Sequence, residues 1–164
     1  MNLAPWTFLI ASHAIAASLA LIIGAFQILR PKRGDPIHKM TGRVWVVLML
    51  YVSIFSFTFG GYSDGIDIFL RCLATWTVFC VIFAIWCAKK GNIFVHRGFM
   101  VGSYLGLIGA LVGVLAVRSR RVPSWFAAHP FEMSLVTIAI IAVAAMIIGE
   151  ILRYHHTIDK NTRL

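Results

Sequence analysis

Three histidines carry most of the chemistry that this sequence could perform. His38 and His96 each open a long apolar run, and each is followed by a basic residue, Lys39 or Arg97. Two histidines on facing helices can hold one haem iron from opposite sides. In that hypothesis His38 and His96 are the axial ligands of a haem b. The basic side chains beside them would contact its propionates: Lys39, Arg43 and Arg97.

A second interpretation gives the same residues to the membrane surface. His38 and His96 follow the helix-capping residues Asp35 and Asn92 by three or four positions, so each histidine lies in the first turn of its predicted helix. Histidine, lysine and arginine at such a position bind lipid phosphates and set the depth of the helix. Because a helix N-terminus disfavours imidazolium, the neutral form is expected in either interpretation.

His13 differs from the other two because it lies inside an apolar run. An ionisable group there is costly and usually faces the interior of a helical bundle. We expect His13 to donate a hydrogen bond to a neighbouring helix, and the alternative is that it binds a cofactor or quinone. His13 and His38 are expected near opposite faces of the membrane, on the order of 25 Å apart, so one haem cannot use both.

The composition requires a membrane environment for the elements that carry these residues. Hydrophobic residues make up 60% of the 164 positions and charged residues only 13%. The net charge of +9 does not indicate nucleic-acid binding, because no separate basic domain carries it. The basic residues instead lie between apolar runs, where they meet anionic headgroups. We therefore expect an all-α polytopic transmembrane bundle that forms a single domain.

Five apolar runs are long enough to span a bilayer, which takes about 20 residues. They form two tandem helical hairpins, a four-helix core at about 5–117, followed by a fifth helix and tail at about 133–164. The spans are predicted at about 5–29, 43–59, 66–88, 98–117 and 133–152, and the second begins earlier if Asp35 and Pro36 start its helix.

The lysines and arginines predict the orientation. Eleven of them lie in the connections 30–43 and 89–97 and in the C-terminal tail. Three lie on the opposite side, at Arg118, Arg120 and Arg121. The bias places the N-terminus outside and the C-terminus in the cytoplasm of a bacterial inner membrane. The 118–121 cluster opposes this, and the alternative is that the last two spans depart from a simple meander.

Small residues and other side chains predict how the helices pack. A stripe on the first helix and overlapping GxxxG patterns on the fourth favour close approach, within the chain or against a partner. Asp67 with Arg71, and Glu150 with Arg153, are spaced to pair along their helices. The two stripes are Ser12, Ala16, Ala20 and Gly24, and Gly102, Gly106, Gly109 and Gly113. An interfacial aromatic belt is expected at Trp6, Trp45, Tyr62, Trp125 and Tyr154.

The chain resembles a family of bacterial membrane proteins, family 2306 of the domain-of-unknown-function series. The resemblance rests on the histidine of the first helix, on Gly24-Ala25-Phe26-Gln27, on the segment from His38 to Arg43 and on the segment from His96 to Met100. That family typically shows an HRxxGR pattern, and here Lys39 replaces its first arginine. The resemblance covers about the first four helices and implies a four-helix core, but no activity.

Two classes of function follow from the sequence. The first is a non-catalytic accessory subunit that packs in or stabilises a larger bacterial membrane complex, such as a respiratory complex. Its partners are the bilayer and other membrane subunits or copies of itself. The second is an electron carrier that binds haem b or a quinone through His38, His96 and His13. The sequence lacks P-loop, GxSxG and HExxH motifs, which favours the first class.

Overall fold

The computed structural model describes residues 5–58, 65–117 and 120–161, with side chains in the last range described as far as Tyr154. Within those ranges the chain is helical and contains no strand, which confirms the all-α prediction. The helices are α1 (Phe8–Leu29), α2 (Pro36–Phe55) with a 3-10 turn at Ser56–Thr58, α3 (Gly65–Lys89), α4 (Ile93–Ala116), α5 (Arg121–Ala128) and α6 (Pro130–Asn161).

Five helices in the described part of the chain are long and apolar enough to cross a membrane. They are α1, α2 with its 3-10 turn, α3, α4 and the first 25 residues of α6. Most of their surface is not covered by the rest of the chain, with between 11% and 28% of each span's most apolar window buried. An apolar surface that is left uncovered is stable in lipid, where no water has to be excluded.

Side-chain caps define where the helices begin. Asp35 accepts a hydrogen bond from the His38 backbone at 2.9 Å and Pro36 occupies the first helical position, as the sequence predicts. Asn92 caps α4 in the same way, through the Val95 backbone at 3.2 Å. Both caps therefore lie just before a histidine, one in each hairpin.

The first four helices form a bundle in which each packs mainly against two neighbours. α1 contacts α2 and α4, and α3 also contacts α2 and α4, so α2 and α4 lie diagonally across the bundle. α6 packs on the outside against α1 and α2. All four core helices contribute to one cluster of buried apolar side chains: Ala20, Ile23, Trp45, Met49, Val81 and Leu107.

The closest approach in the bundle is at Gly24 of α1. A Cβ atom there would lie 2.6 Å from Trp45 Nε1 and 2.6 Å from Tyr104 Cδ2. Trp45 Nε1 donates to the Ala20 carbonyl at 3.0 Å, and the Tyr104 hydroxyl donates to the Leu21 carbonyl at 3.2 Å. The absence of a side chain at Gly24 thus lets α2 and α4 both bond to the backbone of α1.

Trp45 corrects the prediction of an interfacial aromatic belt. It is only 5% exposed and lies in the middle of the bundle, because its N–H has an acceptor there. Trp6 and Trp125 do meet at one end of the bundle, with ring centroids 6.1 Å apart. Tyr62 lies outside the described residues.

Two other regions differ from the sequence prediction. The expected loop before the fifth span contains the helix α5, whose first residue is Arg121. The expected polar tail continues the helix α6 to Asn161, far beyond the predicted end of the span at about residue 152. A search for membrane spans cannot detect either segment, because α5 has only eight residues and the end of α6 is polar.

The bundle has two ends, the His38 end and the His13 end. The His38 end contains the turns between α1 and α2 and between α3 and α4. The His13 end contains the start of α1, the 3-10 turn after α2, the end of α4 and the helix α5. A simple meander of five spans produces this arrangement.

Candidate functional site

His38 and His96 come together at the His38 end. They belong to α2 and α4, the diagonal helices, and lie close enough to interact electrostatically. Both side chains are partly buried. The structure therefore brings together the two histidines that the sequence analysis paired, while His13 lies at the opposite end of the bundle.

The hydrogen bond of His96 determines which of its nitrogens can act. Nδ1 lies 2.9 Å from the Ala84 carbonyl of α3. Since a carbonyl oxygen only accepts, Nδ1 carries a proton, and in neutral imidazole the lone pair is then on Nε2. Metal-binding histidines are commonly oriented by a hydrogen bond of this kind. In its neutral form, His96 would thus present Nε2 to a metal.

His38 is held through its backbone and carries an orphaned side-chain atom. Its carbonyl accepts from Gln27 Nε2 at 2.9 Å, which ties α2 to α1. Within the described residues, His38 Nδ1 and Gln27 Oε1 are buried without a hydrogen-bond partner. Gly42 lets the two helices approach, because a Cβ there would lie 2.9 Å from Gln27 Nε2.

The basic side chains that the sequence analysis assigned to propionates or headgroups are exposed. Lys39, Arg43 and Arg97 all face away from the bundle. Arg30 is different, because it makes a two-pronged ion pair with Asp35 at 2.6 and 2.5 Å. The hydrogen bonds to Asp35 raise the pKa of Arg30, while burial opposes the rise. The stability that comes from the shifted pKa of Arg30 is therefore present below the ordinary arginine pKa and is lost as the pH rises through the raised value.

A cavity of about 190 Å³ lies at the His13 end. It is open on one side and is bounded by α1, the 3-10 turn, α3, the end of α4 and the start of α5. Its polar lining consists of His13, Ser56, Asp67, Arg71, Arg120 and Arg121. Its apolar lining consists of Trp6, Ile10, Ala14, Leu70, Val114 and Val122.

An ion pair over a long sequence separation closes one wall of this cavity. Arg120 donates to Asp67 at 2.6 Å, and the Asp67 side chain is 13% exposed. Asp67 was expected to pair with Arg71 along α3, and the structure brings Arg120 to it from the segment before α5. Arg71 donates to the Phe57 carbonyl at 3.1 Å. Glu150 and Arg153 pair at 3.2 Å, as their spacing predicts.

Sequence reasoning did not assign Arg120 and Arg121 to a site. They appeared only as a departure from the charge bias, since nothing in a local pattern connects them to His13 or Asp67. The signal was that departure itself, because the charge bias disfavours arginines on the less basic side of the membrane. Arg118 belongs to the same predicted cluster and lies outside the described residues.

The two small-residue stripes have different surroundings. On α1, Ser12 lies 2.7 Å from the Tyr51 hydroxyl, and Ala16, Ala20 and Gly24 are buried. On α4, a Cβ added at Gly106 would lie 3.5 Å from Leu73. A Cβ added at Gly102, Gly109 or Gly113 would have nothing within 4 Å. The stripe on α1 packs inside the bundle, and most of the stripe on α4 has no neighbour among the described residues.

The chemistry that these arrangements allow is limited. Among the described residues no three His, Cys, Asp or Glu side chains group as metal ligands. The His38 end offers one imidazole lone pair and one orphaned nitrogen, and the His13 end offers a cavity with three guanidinium groups. Among the described residues, neither arrangement places a nucleophile within hydrogen-bond reach of a base.

The fold and these sites define the class as a multi-pass integral membrane protein of helical-bundle type. The chain belongs to the family described as "Predicted membrane protein (DUF2306)", which it matches over residues 10–154. This confirms the resemblance drawn from the histidine motifs and extends it through most of α6. Comparison with curated proteins and with solved structures finds no match.

Proposed function

We propose that this protein is a non-catalytic accessory subunit that packs in the membrane against the subunits of a larger bacterial complex, of which a respiratory complex is one kind. The observation that carries the proposal is the open face of α4. A Cβ at Gly98, Gly102 or Gly109 would meet nothing within 4 Å. Glycine weakens a helix by about 1 kcal/mol relative to alanine, so a row of glycines that faces only lipid has a cost without a benefit. Small residues in membrane helices favour close packing of another helix.

An exposed row of aromatic side chains on α3 also supports a partner. Trp76, Phe79, Phe83 and Trp86 follow one another with centroid separations between 5.4 and 5.7 Å. Trp76 lies near the middle of its span, is 59% exposed and donates no hydrogen bond to the described residues. Tryptophan normally lies at the membrane interface, where its N–H is satisfied. A neighbouring subunit could provide an acceptor in the middle of the bilayer.

The proposal is tested by the size of the assembly that the protein forms in native membranes. The full chain, with one affinity tag, is extracted in mild detergent, and its complex is sized by native electrophoresis. We expect a complex far larger than the 18.2 kDa chain, which Gly102→Leu and Gly109→Leu disrupt. The matched control is Ala142→Leu on the exposed surface of α6, which should leave the complex intact.

The same experiment separates the two kinds of partner. Two differently tagged copies that purify together would show an oligomer of this chain, whereas other stoichiometric subunits would show a mixed complex. A chain that runs as a monomer from native membranes, with or without the leucine substitutions, would refute the accessory role.

We also propose that the membrane is the bacterial inner membrane, with the N-terminus outside and the C-terminus in the cytoplasm. The basic turns at the His38 end support this orientation. With native cysteines replaced, Lys90→Cys should resist an impermeant maleimide in intact cells and Ala128→Cys should react. The reverse labelling would refute the orientation.

The second candidate is an electron carrier that binds haem b at the His38 end or a quinone near His13. The proximity of His38 and His96 favours it, and the Nδ1 hydrogen bond of His96 suits a haem ligand. Haem would supply one-electron transfer, and the two imidazoles would hold and orient it. The cavity at the His13 end is not lined by His38 or His96, which is why this candidate stands second.

A visible absorption spectrum tests this candidate. The protein is expressed with haem supplied, purified, and measured before and after reduction with dithionite. Sharp reduced bands that disappear in His38→Ala and in His96→Ala, but persist in His129→Ala, would support a haem carrier. A flat spectrum would refute haem binding at the His38 end.

A further inference from the structure

The cavity at the His13 end carries more positive than negative charge. Among the described residues that line it, three are arginines and one is a carboxylate. Asp67 is already engaged, since Arg120 donates to it at 2.6 Å. Arg71, which donates to the Phe57 carbonyl, and Arg121 are the other charged residues of the lining. The other lining residues are uncharged, apart from His13, which can take up a proton.

Arg121 shows that the lining has capacity for a further acceptor. Its Nε atom is buried and has no hydrogen-bond partner among the described residues. A buried polar atom is costly unless it is paired, and a charged group more so. Guanidinium groups match carboxylate and phosphate oxygens in geometry and charge, so an anion is the ligand that would satisfy this atom best.

The remaining lining indicates what the anion is attached to. Trp6, Ile10, Leu70, Val114 and Val122 provide apolar walls beside the arginines. At about 30 Å³ for each water molecule, a cavity of 190 Å³ has room for roughly six waters, enough for an acid group and a few carbons. Longer chains would have to leave through its open side. His13 and Arg71 lie five and six residues into their helices, or about 8–9 Å, which is near the boundary of headgroups and acyl chains.

We infer that this cavity binds an amphiphilic organic anion, with its carboxylate or phosphate group against Arg121 and Arg71 and its apolar chain against the Trp6 and Val114 side. The shared chemistry is an acid group on a hydrocarbon chain. A free fatty acid and an anionic lipid both provide it, and a binding experiment distinguishes them.

The test is calorimetric titration of the full chain, purified in an uncharged detergent. The probes are octanoate, octanol, dioctanoyl phosphatidylglycerol and dioctanoyl phosphatidylcholine. We expect at least one anionic probe to bind and its uncharged or zwitterionic counterpart not to bind. Arg121→Gln should weaken the binding about tenfold or more, the value of a lost charge-assisted hydrogen bond. Arg153→Gln, a change of the same kind at the exposed end of α6, should leave it unchanged.

A second variant protects the test against a failure of Arg121→Gln to fold. Val114→Phe fills the apolar part of the cavity without altering its charge, and it should also weaken binding about tenfold or more.

The probes that bind identify the source of the anion. Octanoate binding would show that a free acid is sufficient, and binding of phosphatidylglycerol alone would show that a lipid headgroup is required. The inference is overturned if no anionic probe binds, if Arg121→Gln and Val114→Phe bind as the unaltered chain does, or if octanol binds as tightly as octanoate.

Discussion

The two ends of the bundle hold their polar side chains in different ways. At the His38 end, side chains bond to nearby backbone atoms. Gln27 donates to the His38 carbonyl, and His96 Nδ1 lies 2.9 Å from the Ala84 carbonyl oxygen. At the His13 end, charged side chains from distant parts of the chain meet around a cavity, and Asp67 pairs with Arg120, 53 positions away. The first end is closed by local bonds, and the second leaves space.

The comparison of the two ends indicates where a binding site can be sought in a small membrane protein. The repeated histidine motif draws attention to the His38 end, where capping and interhelical bonds already use many of the polar atoms. The arginines that disturb the charge bias lead instead to the His13 end, which has both a cavity and unbalanced charge among its described lining. A pattern that departs from a topological rule is in this case as informative as a motif.

The largest expected effect is from filling the closest contact of the bundle. Gly24→Ala places a Cβ 2.6 Å from both Trp45 and Tyr104, and such overpacking costs about 1–3 kcal/mol. We expect a clear decrease in the free energy of unfolding, measured by reversible denaturation in mixed micelles. Gly113→Ala near the His13 end meets nothing within 4 Å and should be neutral or slightly stabilising. Equal losses in the two variants would show that the contact at Gly24 is no tighter than the open surface at Gly113.

Next is the ion pair that closes the cavity. Asp67→Asn leaves Arg120 partly buried without its partner, with an expected loss of about 1–3 kcal/mol, between the values for exposed and buried pairs. Amide hydrogen exchange should increase in α5, which begins beside Arg120. A double-mutant cycle with Arg120→Gln measures the coupling, and Glu132→Gln, at an exposed position, is the control. No coupling in the cycle would mean that the pair does not hold α5 in place.

At the His38 end, Asp35 combines two roles that substitution can separate. Asp35→Ala removes the cap of α2 and the ion pair with Arg30, and we expect a loss of about 2 kcal/mol. Asp35→Asn keeps a good capping residue and should lose only about 1 kcal/mol. Asn92→Ala removes the equivalent cap of α4 and is the matched control. If Asp35→Asn were as damaging as Asp35→Ala, the ion pair rather than the cap would hold this turn.

The smallest expected effect distinguishes the two histidines at the His38 end. His96→Phe removes the hydrogen bond to Ala84, which at the average for membrane helices is worth about 0.6 kcal/mol. His38→Phe removes a buried atom that has no partner among the described residues, so its cost should be smaller. Comparing the free energies of unfolding of both variants checks this order. Equal, larger losses that depend on added haem would instead favour the haem candidate.

Much of the fold could be predicted because the membrane restricts it strongly. A run of apolar residues long enough to span must be a helix, since its backbone groups have no other partner in lipid. The start of α2 followed from Asp35 and Pro36, a local signal. The burial of Trp45 could not be predicted, because it depends on the carbonyl of Ala20 as an acceptor and on the missing side chain at Gly24, both in another helix.

The candidate sites divide in the same way. By itself the sequence determined that the chain is a five-span helical bundle, that His38 and His96 open two of the helices and that His13 lies apart from them, because span length, caps and turns are local properties. Only the tertiary structure decided that Arg120 reaches Asp67 and that Arg121 lines a cavity with His13. These contacts depend on how the end of α4 and the helix α5 return to α1 and α3, which is set by packing and charge between distant segments.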